Sequence, residues 1–328
     1  MSRGVRFSGI AAYAPERSVP NSYFDQLLGE NVSDWLEQNV EIFERRWCAA
    51  DESTADLCEK AALSVLERAG LEAADLDLII VSTDTPEFVS PSTASVLQDR
   101  IEARNAGTFD INTACAGFVT AIDVASKYIL SDDRYRHILV IGAYAMSKYL
   151  NLEDKKTVTL FADGAGAMIL SSASENYYTA GQLLTEGQYN EWMGIYGGGT
   201  REPMSHDLID KHRHQLQFVK KFPKELNPQM WSQMIKVLAE RKNIAVDDFG
   251  HFFLTQININ SIRETMDLLG QAHNKAHTVM HHYGYTGSAC IPMALNDAWE
   301  KGIVKEGDRV AFVGSGGGLA FASAALEL

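Results

Sequence analysis

Residues 108–130 read TFDINTACAGFVTAIDVASKYIL, a short strand pattern that runs directly into a long helical pattern. Cys115 lies at the junction, so the sequence predicts a strand-to-helix elbow with a cysteine at its turn. Apolar or small residues occupy nearly every face of the helix, which predicts that it is buried all round. A buried helix can direct its N-terminus into a pocket.

Cys115 is a candidate nucleophile because of this position. In the first turn of such a helix, the aligned peptide dipoles favour the thiolate, the form that attacks carbonyl groups. A structural cysteine in the core is the alternative. The elbow alone leaves both interpretations open.

Composition limits the possible functions. The chain has 328 residues, of which 46% are hydrophobic and 22% charged, enough for two domain-sized units or one duplicated unit. The net charge of −14 and the lack of a long Lys/Arg run argue against nucleic acid or an anionic membrane as partner. The N-terminal apolar stretch is too short and broken for a signal peptide or membrane span, so we expect a cytoplasmic protein.

The cysteines and histidines do not indicate a metal site. The four cysteines, Cys48, Cys58, Cys115 and Cys290, have neither CxxC spacing nor the density of a disulfide scaffold, so we expect free thiols. Three histidines, His206, His212 and His214, lie in a charged, irregular segment without the partner spacing of a zinc site. The sequence therefore predicts a solvated loop there and no metal.

Two passages of the chain repeat the same order of elements. In the first, LDLIIVST (76–83) leads through a helix to the Cys115 elbow and then to RHILVIGAYA (136–145). In the second, FGHFFLTQI (249–257) leads through a helix to HTVMHHYGYTGSACIPMALNDA (277–298) and DRVAFVGSGGG (308–318). The repeat predicts two similar α/β halves with parallel strands covered by helices, whose elbows face one another across a cleft.

We place the N-terminal half at residues 1–172 and the C-terminal half at 173–328. The polar, Gly-rich stretch at about 177–226 is predicted to be an irregular insertion beside the substrate site. A strand is expected at 277–281.

Four motifs resemble those of the ketoacyl synthase III family, and the resemblance covers essentially the whole chain. They are ACAGF around Cys115, FADGAGA at 161–167, YGYTGSACIP at 283–292 and the terminal GSGGG at 314–318. The resemblance implies a thiolase-like fold, with two duplicated α/β halves in a five-layered αβαβα arrangement.

The resemblance also implies a reaction. In that family a cysteine takes an acyl group from coenzyme A or a carrier protein, and a His and an Asn then promote decarboxylation of a malonyl extender and condensation. Cys115 matches the nucleophile.

The family's PHQAN matches LTQIN at 254–258, which places Thr255 at the His position and aligns Gln256 and Asn258 with their counterparts. The family's GNTSAA matches GYTGSA, which places Tyr285 at the Asn position.

The family's oxyanion hole corresponds to the backbone N–H groups of Cys115 and Gly317, so acylation is expected to remain possible. A replacement base could come from His282 or His281, or from Asp84, which aligns with a catalytic carboxylate of related hydroxymethylglutaryl-CoA synthases. The alternatives are that the histidines point outward from a strand and that the aspartate caps a loop.

Substrate-binding residues follow from the same match. Trp35 matches the tryptophan that stacks on the adenine of coenzyme A, and Lys155 lies near the position of the arginine that sandwiches it. The two family arginines for phosphates are replaced by Asn39 and Asn260. Ser90 replaces a bulky aromatic residue that a partner subunit contributes to the acyl pocket.

The sequence therefore predicts a homodimeric, cytoplasmic acyltransferase of the ketoacyl synthase III type that works without a cofactor in specialised lipid or secondary metabolism. It would form an acyl-Cys115 thioester from acyl-CoA or acyl-carrier protein and pass the acyl group to an amine, an alcohol or a preformed carbon nucleophile. Two alternatives remain: a carbon–carbon condensing 3-oxoacyl synthase with an altered base, and a non-catalytic synthase-like partner subunit.

Overall fold

The computed structural model describes residues 3–328 and places most strands in two mixed sheets. In chain order the strands are β1 (Gly4–Tyr13), β2 (Ser18–Pro20), β3 (Glu44–Arg46), β4 (Leu78–Ser82), β5 (Gly107–Ile111), β6 (His137–Ala145), β7 (Asp163–Ala173), β8 (Tyr178–Thr185), β9 (Met193–Gly194), β10 (Gln217–Phe218), β11 (His251–Leu254), β12 (Arg309–Gly316) and β13 (Ala320–Glu327). The first sheet has the order β1-β7-β6-β4-β5 and the second β11-β12-β13-β8. The short strands β2 and β3 pair with each other, as do β9 and β10.

The helices form three layers around these sheets. In chain order they are α1 (Asn21–Leu28), α2 (Ser33–Asn39), α3 (Thr54–Ala69), α4 (Thr93–Arg100), α5 (Gly117–Ser131), α6 (Lys155–Val158), α7 (His206–Asp210), α8 (Leu226–Lys242), α9 (Ile259–Leu269), α10 (Met280–Tyr283) and α11 (Cys290–Glu300). The first sheet has α3 and α4 on its outer face, α5 and α11 lie between the sheets, and α8 packs on the second sheet with α9 beside it. The five-layered αβαβα thiolase-like fold predicted from the sequence is confirmed.

The composition of α5 follows from its position. This helix contacts strands of both sheets, so most of its apolar residues are buried. The prediction that it is buried all round is wrong for its last two turns, where Lys127, Tyr128 and Ser131 form an exposed stripe. Within the described residues, one stretch, Ala114–Ser131, is long and apolar enough to cross a membrane, and 67% of it is buried inside the structure, as is typical of a core helix.

The predicted strand at 277–281 is wrong. Only a single bridge between Phe252 and Ala276 extends the second sheet here, and the chain then forms α10. The Gln256 side chain explains the difference, because its Oε1 accepts hydrogen bonds from the N–H groups of Val279 at 2.8 Å and Met280 at 3.1 Å. A side chain therefore satisfies the donors that a neighbouring strand would otherwise bind.

The predicted irregular insertion at about 177–226 also needs correction at its start. Residues Tyr178–Thr185 form β8, the edge strand of the second sheet, which pairs antiparallel with β13. The last three residues of β8 are all exposed. Buried and exposed positions therefore do not alternate there, and apolar and polar residues give no strand pattern in the sequence. The irregular segment begins after Thr185.

The two elbows face one another, as the repeat predicts. Short 3-10 turns at Ala114–Ala116 and Gly287–Ala289 precede α5 and α11 and contact each other. Gly142 on β6 lies beneath the second turn, where a Cβ would overlap the carbonyl oxygen of Ser288. A glycine is needed because backbone, rather than a flexible side chain, occupies the space.

Gly142→Ala is expected to lower the free energy of unfolding by about 1–3 kcal/mol, the usual cost of overpacking a rigid core. Chemical denaturation at equilibrium measures the change. Gly250→Ala is the matched control, since its Cβ would lie 3.7 Å from the carbonyl oxygen of Arg309, an ordinary contact. Equal stability of the two variants would contradict the close packing of the elbow on β6.

Candidate active site

Cys115 lies at the centre of the molecule, in the 3-10 turn before α5, with 3% of its surface exposed. The glycine-rich end of β12 packs directly on this turn. A Cβ on Gly314 would lie 2.8 Å from the Cα of Ala116, and one on Gly316 would overlap the backbone nitrogen of Cys115. The GSGGG sequence therefore allows two backbones to meet at the nucleophile, which no larger residue would permit.

A cavity of about 220 Å³ opens beside the thiol. Its walls come from the ends of β4, β5, β6 and β12 and from the irregular segment that covers them. The lining residues are Asp84, Asn112, Ala114, Cys115, Tyr144, Asn190, Met193, Gly194, Ile195, Tyr196, Leu216, Gly317 and Gly318. Gly317, the predicted oxyanion-hole residue, thus lines the same cavity as Cys115.

Burial raises the pKa of the Cys115 thiol well above its usual range, and the negative charge of Asp84 raises it further. A hydrogen bond from Tyr285 lowers the same pKa, but it does not outweigh burial. Burial therefore opposes the predicted effect of the helix terminus on the thiol. The regular helix begins only at Gly117, and the desolvated thiol needs a group that removes its proton.

Tyr285 is the side chain whose hydrogen bonding lowers the pKa of the Cys115 thiol, whereas burial raises the pKa of the tyrosine itself well above its usual range. The residue is 1% exposed and held by its backbone, whose N–H donates to the carbonyl of Leu160 and whose carbonyl accepts from Ala162, both at 2.9 Å. Its ring packs against that of Phe161.

Thr255 does not have the catalytic position that was predicted. Its hydroxyl oxygen accepts a hydrogen bond from the N–H of Ser315 at 2.9 Å and lies 3.5 Å from the carbonyl oxygen of the same residue. The side chain is 1% exposed and does not line the cavity. Thr255 therefore fixes the strand that carries the glycine-rich turn, since its bonding capacity is used there.

Gln256 and Asn258, which were predicted to bind substrate, both form hydrogen bonds within the protein. The Gln256 amide bonds only to backbone groups of the segment 277–280: its Nε2 donates to the carbonyl of His277 at 3.1 Å. Asn258 caps α9, because its Oδ1 accepts from the N–H of Asn260 at 3.0 Å. The Gln256 side chain thus holds the backbone of the segment before the second elbow, and the Asn258 side chain caps α9.

The two candidate histidine bases lie outside the cavity. The His282 side chain is 61% exposed, and its Nδ1 lies 3.6 Å from Glu44 Oε1 at the surface. His281 is partly buried beside it, and burial lowers its pKa. Neither lines the cavity, because the segment forms a helix rather than the strand that would have pointed one of them inward.

Asp84, by contrast, lies in the cavity wall. The threonines on either side hold its backbone: the N–H of Thr83 donates to the carbonyl of Ile111 at 3.1 Å, and the Thr85 hydroxyl accepts from the N–H of Ala145 at 2.9 Å. Its Oδ1 is buried and has no hydrogen-bond partner. Burial raises the pKa of this carboxyl to about 6.

The residues predicted to bind coenzyme A lie outside this cavity. Trp35 is 55% exposed, so its ring is free to stack on a ligand. Lys155 reaches towards the same α1–α2 region, where its Nζ lies 2.9 Å from Glu30 Oε1. Asn260 donates to the backbone carbonyl of Asn39 at 2.8 Å, so these two positions contact each other and provide no positive charge for a phosphate.

Ser90 is exposed on the loop between β4 and α4 and does not line the cavity of its own chain. Its neighbours Phe88 and Val89 are 51% and 95% exposed. The loop connects β4 to α4, and β5, which pairs with β4, is the edge strand of the first sheet.

Several cavity residues were not identified from the sequence. Asn112 and Tyr144 lie at the carboxyl ends of β5 and β6, where side chains of parallel strands converge, so their positions were available as a signal. Asn190, Tyr196 and Leu216 come from the irregular segment, for which no pattern predicts direction. Among residues 3–328 no group of three or more His, Cys, Asp or Glu is placed to hold a metal ion.

Comparison with known proteins shows the family to which this chain belongs. Residues 109–187 match the family model of 3-oxoacyl-[acyl-carrier-protein] synthase III, and residues 239–328 match the model of its C-terminal part. A β-ketoacyl-[acyl-carrier-protein] synthase III of Clostridioides difficile is 32% identical over 97% of this chain and 97% of its own.

Solved structures of synthases of this kind have the same fold as this chain. A 3-oxoacyl-[acyl-carrier-protein] synthase III of Aquifex aeolicus superposes with a TM-score of 0.88 at 28% identity, covering 99% of this chain and 100% of its own. The priming β-ketosynthase of the R1128 polyketide biosynthetic pathway gives 0.89 at 27% identity, covering 100% of this chain and 97% of its own.

Tyr285→Phe is expected to raise the pKa of Cys115 further and to slow its alkylation by a small uncharged reagent by about 10- to 100-fold. A hydrogen bond to a charged group contributes about 1.5–3 kcal/mol, and that bond is lost. The measurement is the alkylation rate as a function of pH. Tyr144→Phe is the control, since Tyr144 lines the same cavity and is not the group that hydrogen-bonds the sulfur. Equal rates in both variants would exclude Tyr285 as the donor.

Proposed function

Because the chain belongs to the 3-oxoacyl-[acyl-carrier-protein] synthase III family, we propose that it is an acyltransferase that forms an acyl-Cys115 thioester and passes the acyl group to a nucleophilic acceptor. One observation supports this most directly. Cys115 lies in the wall of a cavity, its pKa is lowered by hydrogen bonding to Tyr285, and the glycine-rich end of β12 packs on its backbone.

In the first half-reaction, the sulfur of Cys115 attacks the carbonyl carbon of an acyl thioester. The backbone N–H groups of Cys115 and Gly317 would bind the oxyanion that develops, which is the largest single contribution in many acyl transfers. The carbon–sulfur bond to the donor then breaks, the acyl group stays on Cys115, and the donor leaves as a thiol. Tyr285 stabilises the charge on the Cys115 sulfur whenever that sulfur attacks or leaves.

The donor is an acyl-CoA or an acyl-carrier protein. The exposed ring of Trp35 supports stacking on an adenine, while the uncharged Asn39–Asn260 contact weakens any phosphate site. The relatives are named for acyl-carrier protein, which supports a carrier-bound thioester at one of the two steps. The segment that closes the cavity includes Tyr196 and Met193 and would contact the acyl chain.

The acceptor is a nucleophile that needs no decarboxylation. The match places Thr255 and Tyr285 at the positions of the decarboxylating pair, and neither is a base. The hydroxyl of Thr255 is bound to Ser315 and does not face the cavity. Similarity to a priming ketosynthase of a polyketide pathway supports a role in specialised lipid or secondary metabolism.

One alternative has an observation in its favour. The curated relatives are β-ketoacyl synthases at 31–34% identity over nearly the full length, which favours carbon–carbon condensation with an altered base. A non-catalytic partner subunit is less well supported, since the nucleophile, its hydrogen-bond donor and the cavity are all present.

We further propose a cytoplasmic homodimer. The edge strand β5 and the exposed tip formed by Phe88 and Val89 would pair with a second copy, and Ser90 would then lie towards the partner's acyl pocket. Unpaired strand backbone beside apolar side chains is a natural surface for self-association.

Incubation with a panel of acyl-CoA and acyl-carrier thioesters is expected to add one acyl group to the protein, detected by intact-protein mass. The adduct should be absent in Cys115→Ala, and its mass identifies the donor. Cys290→Ala serves as a matched control, since Cys290 is a buried cysteine at the second elbow whose pKa burial raises to about 12. Failure of every donor to give an adduct would overturn the acyltransferase proposal.

Val89→Asp is expected to shift the protein from dimer towards monomer, because it would bury an unpaired carboxylate in the proposed interface. Sedimentation equilibrium measures the shift. Leu63→Asp is a control on an equally apolar exposed site of α3, at 49% exposure, and should leave the dimer intact. An unchanged dimer in Val89→Asp would place the interface elsewhere.

A further inference from the structure

Asp84 has a feature that the acylation of Cys115 does not explain. Its Oδ1 is buried, lacks any hydrogen-bond partner and belongs to a side chain that lines the Cys115 cavity. An unpaired carboxylate oxygen is costly to bury, and such groups in native proteins usually have a functional reason. The threonines on both sides bond to β5, β6 and α3 and hold the carboxylate in this position.

The charge of the cavity is equally informative. Among the described residues that line it, Asp84 carries the only carboxylate, and none is a lysine, arginine or histidine. A malonyl extender brings its own carboxylate, which would meet a negative charge without a compensating cation. A neutral or cationic acceptor would instead be attracted to Asp84.

We propose, on the basis of the acyltransferase function above, that Asp84 is the general base of this site and that the acceptor is a small amine or alcohol rather than a malonyl thioester. The geometry supports both parts. Asp84 lines the same cavity as Cys115, where an acceptor would approach the acyl-Cys115 carbonyl, and its buried Oδ1 has no hydrogen-bond partner that would have to be displaced.

The proton balance is complete within the site. The acceptor N–H or O–H attacks the thioester carbonyl while its proton passes to Asp84, and the oxyanion forms at the backbone N–H groups of Cys115 and Gly317. The carbon–sulfur bond then breaks, and the departing Cys115 sulfur takes the proton back from Asp84. The acyl group has moved from sulfur to nitrogen or oxygen, and no oxidant or metal is required. The same carboxylate can accept the Cys115 proton during acylation.

The electrostatic surroundings are consistent with this role. Burial raises the pKa of Asp84 to about 6, so that it is ionised at neutral pH yet close to the pKa of an efficient base. The ionisable groups that face it are Cys115 on the elbow, Tyr144 on β6 and Tyr149 just after that strand. Burial raises the pKa of each of these, with a further increase from Asp84, so all three are neutral when Asp84 is charged.

The test uses the full chain acylated on Cys115 and freed of donor. Its discharge is followed by intact-protein mass after adding butylamine, a panel of small primary amines and alcohols, or malonyl thioester. At least one amine or alcohol should discharge the enzyme, and Asp84→Asn should do so at least about 100-fold more slowly, the usual contribution of a general base. The ratio of the two rates should rise with pH and level off above about pH 6, and Asp84→Glu should restore part of it.

The outcomes separate the two proposals. If the unaltered chain never acquires an acyl group, the acyltransferase function fails and this inference fails with it. If it is acylated but Asp84→Asn discharges equally fast, or malonyl thioester is the only acceptor, or no amine or alcohol reacts, only this inference is overturned.

A stability measurement shows whether the variant folds. Because the pKa of Asp84 is raised in the folded chain, its contribution to stability is present at low pH and lost as pH rises through about 6. Asp84→Asn should therefore melt at a higher temperature than the unaltered chain at pH 8 and at a similar temperature at pH 4. A lower melting temperature at both pH values would instead assign Asp84 a structural role and overturn the inference.

Discussion

The contact between the Cys115 turn and the end of β12 sets the geometry of the whole site. Two backbones meet there at a distance that only glycine allows, with Gly314 and Gly316 against the elbow and Gly142 under the opposite turn. The contact lies in the core because α5, which follows the turn, packs between both sheets. The nucleophile, the oxyanion donors and the cavity are all consequences of that central packing.

The same packing determines the electrostatics. A thiol placed in the core loses its hydration, so its pKa rises and the thiolate is no longer available without help. Tyr285 provides one favourable hydrogen bond, and Asp84 provides a proton acceptor that itself suffers from burial. The site therefore combines a nucleophile that is hard to ionise with a carboxylate that is poised to change its protonation state near neutral pH.

The internal repeat predicted the two α/β halves and their facing elbows, and the family resemblance implied the five layers. The apolar pattern of α5 predicted a core helix but not the exposed stripe at its C-terminal end. In place of the strand predicted at residues 277–281, the chain forms the helix α10. The side-chain oxygen of Gln256 accepts hydrogen bonds from two backbone N–H groups there, which a neighbouring strand would otherwise have bound. The wrong strand prediction made His282 a candidate base. Side-chain bonds formed over long sequence separations leave no periodic signal, and burial, which raises the pKa of Cys115, becomes visible only when the surrounding elements are assembled.

Thr255 and Tyr285, which replace the family's His and Asn, do not have the features of a pocket that has lost its function. A degenerate pocket would be expected to contain polar side chains without partners, yet the hydroxyl of Thr255 is bonded to Ser315, and hydrogen bonding to Tyr285 lowers the pKa of Cys115. The unpaired atom in the cavity wall is instead the Oδ1 of Asp84, in a residue whose neighbours are firmly held. A cost that persists in a residue lining the site is typical of function. The proposed role of Asp84 would move proton transfer from the strand end of the second half to that of the first.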